Sequence, residues 1–154
     1  MQPIHFEEVV EGIVKRDARY HRDAYHFLRD ALDFTQSLIN RKSRRSPKKR
    51  SGTQVVADEP KHVSGPELML GVREYALEQY GPMATTLFEE WGIRRTRDFG
   101  EIVFNMVREG LLSKTETDRL EDFDDVYDFS TAFRDPFLPG SKLKRSPNRS
   151  SQAN

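Results

Sequence analysis

Apolar residues recur at helical spacing through most of the chain. Phe6, Val9, Val10, Ile13 and Val14 mark one face, with Glu7, Glu8 and Glu11 early and Lys15 and Arg16 late. That charge order complements a helix dipole and predicts a helix from about Phe6 to Arg16. A turn near 18–22 precedes a second helix that Asp23 can open. Its broad stripe of Phe27, Leu28, Ala31, Leu32, Thr35, Leu38 and Ile39 runs to Asn40 and suits burial against more than one neighbour.

The pattern then stops. Residues 41–62 read RKSRRSPKKRSGTQVVADEPKH, where Val55 and Val56 are too little apolar surface to offset the entropy of ordering. A disordered loop inside the domain is predicted there. Order returns at Val63. Ser64 and Glu67 have the spacing of a capping box, Pro66 suits a first helical turn, and Val63 with Leu68 fits a hydrophobic staple. Leu68, Val72, Tyr75, Ala76 and Tyr80 continue that helix until Gly81.

Pro82 opens the next helix, which carries Met83, Leu87 and Trp91 on one side and stops at Gly92. Thr96 is placed as the cap of a further helix with Phe99, Ile102, Val103, Met106 and Val107 inward, ending at Gly110. Thr115 and Asp118 suggest a short capped helix toward Phe123. Phe123, Tyr127, Phe129, Phe133 and Phe137 then punctuate an acidic, partly irregular stretch, with Ser130 as a cap for one last turn.

The expected fold is all-α: about five helices in a compact orthogonal packing, closed by that aromatic-rich C-terminal segment. Short connections at Gly81-Pro82 and Gly92-Ile93-Arg94 turn adjacent helices sharply. Residues 1–139 form one helical domain interrupted by the basic loop at 41–62, and 140–154 form a basic disordered tail. No internal repeat is present.

Composition changes the picture mainly through charge. Of 154 residues 36% are hydrophobic and 32% charged, and mean hydropathy is −0.76. Net charge is zero, but segments 1–40, 41–62, 63–110, 111–137 and 138–154 carry −2, +6, −3, −5 and +4. The patterned parts are acidic and the unpatterned parts basic. Cysteine is absent, which excludes disulfides, a thiol nucleophile and thiolate metal sites. No apolar run approaches the ~20 residues of a membrane span, and Glu7 and Glu8 stand where a signal peptide would be basic. A cytoplasmic protein without membrane association is expected.

Chemistry is sparse. His5, His21, His26 and His62 share no metal-ligand spacing, and capping or packing is the preferred reading of each. Glu121, Asp122, Asp124, Asp125 and Asp128 lack the pattern of a calcium loop and read as solvated surface or as a partner for the basic loop. No nucleophile elbow, phosphate loop or dinucleotide fingerprint occurs. No catalytic residue, cofactor or metal is therefore assigned, and the enzyme question stays open, leaning to no. Residues 82–91 and 96–109 have the lengths of a helix–turn–helix with Arg94, Arg95 and Arg97 at its second helix, but the acidic 116–128 stretch beside it would repel phosphate.

The pieces ALEQYGPMA, WGIRRTRDFGEIVFN and YDFSTAF, with RDARYHRDAYHFLRDALDFT upstream, resemble a family of uncharacterised small bacterial proteins from verrucomicrobial and planctomycete genomes. The resemblance covers 1–40 and 62–139. It implies no activity, cofactor or catalytic residue. It makes the insert at 41–61 and the tail look like additions, and directs attention to the helical body.

Two functions suit these features. The first is a non-enzymatic interaction or adaptor module with a protein partner, using Tyr25, Tyr75, Tyr80, Trp91 or Tyr127 as anchors if exposed. The alternative is an RNA- or ribosome-associated protein that meets phosphate backbone, without sequence preference, through Arg41, Lys42, Arg44, Arg45, Lys48, Lys49 and Arg50 and the tail.

Overall fold

Phe88 marks the centre of the structure, a computed structural model that describes residues 5–45 and 62–140. Its ring lies 5.2–5.9 Å from those of Phe27, Trp91, Phe99, Phe129 and Phe133, mostly tilted or edge to face. Such offset geometries suit the ring quadrupoles and add to the gain from burial. The helices are arranged around this cluster: α1 (Phe6–Arg16), α2 (Arg22–Arg45), α3 (Gly65–Tyr80), α4 (Ala84–Glu90) and α5 (Thr96–Arg108). The fold is all-α, with no strand among the described residues. No described helix is long and apolar enough to cross a membrane.

α2 and α3 run antiparallel. Phe34 meets Tyr75, and Phe27 meets Tyr75 and Tyr80. Their approach is closest at Gly71, where a Cβ would stand 1.7 Å from Thr35 Oγ1. Thr35 is buried and donates to the Ala31 carbonyl at 2.7 Å, so its hydroxyl is satisfied inside its own helix. A similar seat holds the C-terminal segment. A Cβ on Gly100 of α5 would meet the Phe123 ring at 2.6 Å, and one on Gly65 would meet it at 3.2 Å. Phe123 thus lies in a slot that two glycines leave open.

The capping box of α3 is present as the sequence predicts. Glu67 N–H donates to Ser64 Oγ at 3.2 Å and Ser64 N–H to Glu67 Oε1 at 3.0 Å. Other expectations change. α2 continues five residues beyond Asn40, to Arg45, through Arg41, Lys42, Arg44 and Arg45. Lysine and arginine are good helix formers, and cations suit a helix C-terminus. The predicted loop therefore begins inside a helix. Residues 46–61, with Lys48, Lys49, Arg50, Val55 and Val56, lie outside the described residues, as do 1–4 and the tail 141–154.

Pro82 belongs to a 3-10 turn, Gly81–Met83, and α4 starts at Ala84. Thr96 is not the cap of α5 but its first residue, and Arg95 stands at the cap. Asp98, two residues into the helix, reaches back with its carboxylate, which accepts the N–H groups of Arg94 and Arg95 at 2.8 and 3.2 Å. The Thr96 hydroxyl faces inward, donating to the Phe123 carbonyl at 2.6 Å and accepting from Val126 N–H at 3.1 Å. Residues 115–123 form no α-helix. Thr115 N–H binds the Asp118 carboxylate in a turn, and a 3-10 turn follows over Leu120–Phe123. At the last turn, the π-helical Ser130–Arg134, Asp128 and not Ser130 supplies the side-chain acceptor, for Thr131 N–H.

Substituting Gly71 or Gly100 by Ala is expected to lower unfolding free energy by about 1–3 kcal/mol each through overpacking. Gly12→Ala, where a Cβ meets nothing within 4 Å, should be neutral or stabilising. Urea titration followed by circular dichroism checks both; equal effects at the three positions would refute the close-approach reading.

Candidate functional site

Two apolar-lined openings stand out on the surface described, beside a third of about 600 Å³ lined by Arg19, Tyr20, Gly92, Arg94, Arg95 and Asp98. The first is a cleft of about 460 Å³ between α2, the start of α3, α5 and the loop 111–123. Its floor is apolar: Leu32, Leu68, Val103, Phe104, Leu111 and Leu112, of which only Leu68 is fully buried. Phe123 and Gly65 close its inner end, so the glycine slot also shapes the cleft. His62, Lys114, Asp118 and Asp122 stand at the mouth. This size and mixture are those of a small-molecule pocket.

His62 Nε2 lies 3.0 Å from Asp118 Oδ2. Partial burial raises the Asp118 carboxyl, while the Thr115 N–H and His62 outweigh it and hold the group below its ordinary value. Asp122 Oδ2 accepts from Arg119 N–H at 3.0 Å. Each carboxylate is thereby engaged through its Oδ2. The pair His62–Asp118 resembles an oriented general base. Ser64 and Ser113 line the same cleft, and the Ser64 hydroxyl accepts from Glu67 N–H within the capping box.

The second opening is a shallower groove of about 750 Å³ along α2 and α3, lined by Leu38, Ile39 and Leu70 with Glu67, Arg73 and Glu74 on its rim. Leu70 is 59% exposed, the most of any large apolar side chain described. Thr35 and Gly71 form its base.

A polar seam joins the 17–21 loop to α5. Asn105 donates to Asp17 Oδ2 at 3.1 Å and to the buried Tyr25 hydroxyl at 3.0 Å, and accepts from Arg108 at 2.7 Å. Arg19 clasps Asp17 through Nε and Nη2 at 2.9 and 2.7 Å. That bidentate bond holds the Asp17 carboxyl far below its usual range; partial burial opposes it and the Asn105 amide reinforces it. Tyr20 donates to Asp98 at 2.7 Å. Burial, then that bond, raises its phenol. Every group here has a protein partner, and the seam fastens the loop to α5.

Several sequence-derived candidates find local work. His21 Nδ1 accepts from Asp23 N–H at the start of α2, and His26 meets the Phe6 ring edge on at 5.0 Å. His5 is exposed. Asp124 pairs with Arg97 at 2.9 Å. Among the described residues no group of three His, Asp or Glu is placed to hold a metal. The aromatic anchors are not free: Tyr25 and Trp91 are buried, and Tyr75, Tyr80 and Tyr127 pack against the core. Tyr127 donates to the Met69 carbonyl at 2.8 Å. α5 buries Thr96, Phe99, Gly100, Ile102, Asn105 and Met106, and its outward Arg97 and Glu101 pair with each other. A helix so enclosed is not a recognition helix.

Of the basic candidates, Arg41 is exposed on α2, and Lys42, Arg44 and Arg45 follow on its last turns. Lys48, Lys49 and Arg50 fall outside the described residues. Arg41 lines neither the cleft nor the groove. Compared with protein-family models, curated proteins and solved structures, the chain matches none.

The Asp17 shift carries a pH dependence. Its carboxyl is more acidic folded than unfolded, so its contribution is complete above the unfolded value of about 3.9 and is lost as pH falls. Stability should decline between about pH 5 and pH 2, and Asp17→Asn should make that decline shallower. Urea midpoints across that range measure it; parallel curves for the two proteins would refute the assignment.

Proposed function

We propose that the chain is a non-enzymatic interaction module that receives an amphipathic helix of a partner protein along the α2–α3 groove. The observation that carries this reading is Leu70, exposed between Leu38 and Ile39 over a base of Thr35 and Gly71. Two antiparallel helices with a groove between them offer ridges into which a third helix packs, and one large apolar side chain entering such a groove supplies much of the affinity. Glu67 and Glu74 on the rim favour basic residues flanking the partner's apolar stripe.

Membership in the bacterial family that residues 1–40 and 62–139 resemble belongs to this proposal and adds no activity to it. So do a cytoplasmic location and the absence of a cofactor. The alternative, RNA or ribosome association through the basic residues from Arg41 to Arg50, finds support in four of them sharing the end of one helix.

Capture from cell extract with the intact chain and with Leu70→Asp separates the readings. The groove reading expects a protein partner that resists nuclease and is lost with Leu70→Asp, with an unchanged unfolding midpoint. Loss of a hot-spot side chain at an interface centre weakens binding by about 2 kcal/mol or more. Partners that vanish on nuclease treatment and persist with Leu70→Asp would replace it with the nucleic-acid reading.

A further inference from the structure

We infer that the cleft beside His62 is a ligand site for a small amphipathic amine, with the apolar chain on the floor and the ammonium head at Asp118 and Asp122. The cleft shares no lining residue with the α2–α3 groove, so the inference does not rest on the groove reading.

The floor sets the tail. Leu32 comes from α2, Val103 and Phe104 from α5, and Leu111 and Leu112 from the loop that follows. All five pack against the core and are only half-buried. An apolar chain laid over them removes both surfaces from water, which is the gain that draws such a tail in. The volume, about 460 Å³, lies in the range of pockets that enclose small organic ligands.

The mouth sets the head. Asp118 accepts from His62 and from Thr115 N–H, at 3.0 and 2.8 Å, through Oδ2 alone. Asp122 accepts from Arg119 N–H at 3.0 Å, again through Oδ2. Each keeps an Oδ1 that accepts nothing from the described residues, so each has acceptor capacity to spare. Partial burial raises the Asp118 carboxyl, but Thr115 N–H and His62 hold it below its ordinary value, and it is a carboxylate at neutral pH. Both aspartates are half-buried, whereas Lys114 is exposed and its Nζ turns to the Thr115 carbonyl at 3.1 Å. Two carboxylates against one ammonium, with His62 already bonded to Asp118, leave a negative charge to be met and two oxygens to be filled. A cationic head that donates hydrogen bonds does both, and such charge-assisted bonds are the strong ones. No three His, Asp or Glu are placed to hold a metal among the described residues, so the fitting cation brings its own N–H donors. Lys114 at the rim repels a second positive charge, which selects a monocation. A primary amine on a chain of roughly eight carbons joins these requirements.

The test uses three probes with one tail: octylamine, octanol and octanoate, titrated at neutral pH and constant ionic strength into the full chain and followed by amide chemical shifts. Octylamine should bind with a dissociation constant of about 0.1–1 mM, the scale its size allows, and octanoate about tenfold more weakly. The shifted amides should cluster at 62–65, 103–104 and 111–123. Asp118→Asn and Asp122→Asn remove the charge and keep a carbonyl oxygen for the backbone N–H that each side chain binds. Together they should weaken octylamine about tenfold and leave octanol unchanged, the loss expected for a charge-assisted bond. Lys114→Gln should not weaken octylamine. If the paired variant fails to fold, the ranking of the three probes and the wild-type shift map decide by themselves. Octanoate as tight as octylamine, or octylamine indifferent to the paired substitution, overturns the head assignment. Shifts spread over the acidic surface outside the cleft, or none at millimolar octylamine, overturn the site. None of these outcomes depends on partner capture, so the groove reading stands or falls separately.

Discussion

Phe123 sits where two helices carry no side chain, and much of the molecule follows from that seat. A Cβ at position 100 would stand 2.6 Å from the ring, so the seat needs glycine there, and Gly65 leaves the other side open with a Cβ distance of 3.2 Å. Once it is in, its carbonyl reaches the Thr96 hydroxyl, and the same hydroxyl collects Val126 N–H. Between these two anchor points Asp125 adopts a left-handed backbone, φ 46°, a conformation aspartate tolerates better than most residues. The chain is thereby redirected so that Tyr127, Phe129 and Phe133 run back over α3 and α4 into the cluster around Phe88. The irregular segment behaves as part of the core, although it has little regular helix of its own.

The same seat positions the cleft. Phe123 forms its inner wall, and the turn from Thr115 to Phe123 that leads into the seat carries Asp118 and Asp122 to the mouth. His62 arrives from the other side because the capping box fixes where α3 begins, three residues later. α5 passes behind both, enclosed on most of its circumference and fastened to the 17–21 loop by Asn105 and Arg19. The cleft is thus built from a rigid back and a front of hydrogen-bonded turns. That division suits a site that must keep a shape while admitting a ligand.

Elements governed by neighbours in sequence were legible from sequence. The heptad-like spacing in α1 and α2 and the Ser64–Glu67 reciprocity of α3 are local, and each matches its expectation. What the sequence hid depends on distant contacts. Thr96 reads as a cap because capping is what threonine does before a helix; its inward turn is decided by Phe123 and Val126. Gly71 and Gly100 lie inside helical patterns, where their spacing carries no sign of Thr35 or of a ring. His62 and Asp118 share no motif, since their pairing is made by the route of the chain. Had each mid-helix glycine been read as a close approach, two of these sites would have been found. The exposed Leu70 belongs to no apolar stripe in the sequence, and the tyrosines, anchors only if exposed, serve the core.

The tryptophan is solitary. Trp91 is 8% exposed and packs on Phe27, Tyr80 and Phe88, while neither the cleft nor the groove includes it in its lining. Its indole is also at the junction where α4 ends, the Gly92 backbone passes close to Arg19, and the Trp91 carbonyl accepts His21 N–H. Excited tyrosines beside it hand their energy to that one ring. The molecule therefore carries a native optical reporter of its central packing that lines neither the cleft nor the groove, although its neighbour Gly92 lines the third opening. Light emitted from position 91 reports an event that loosens the body more directly than one that occupies the cleft or the groove.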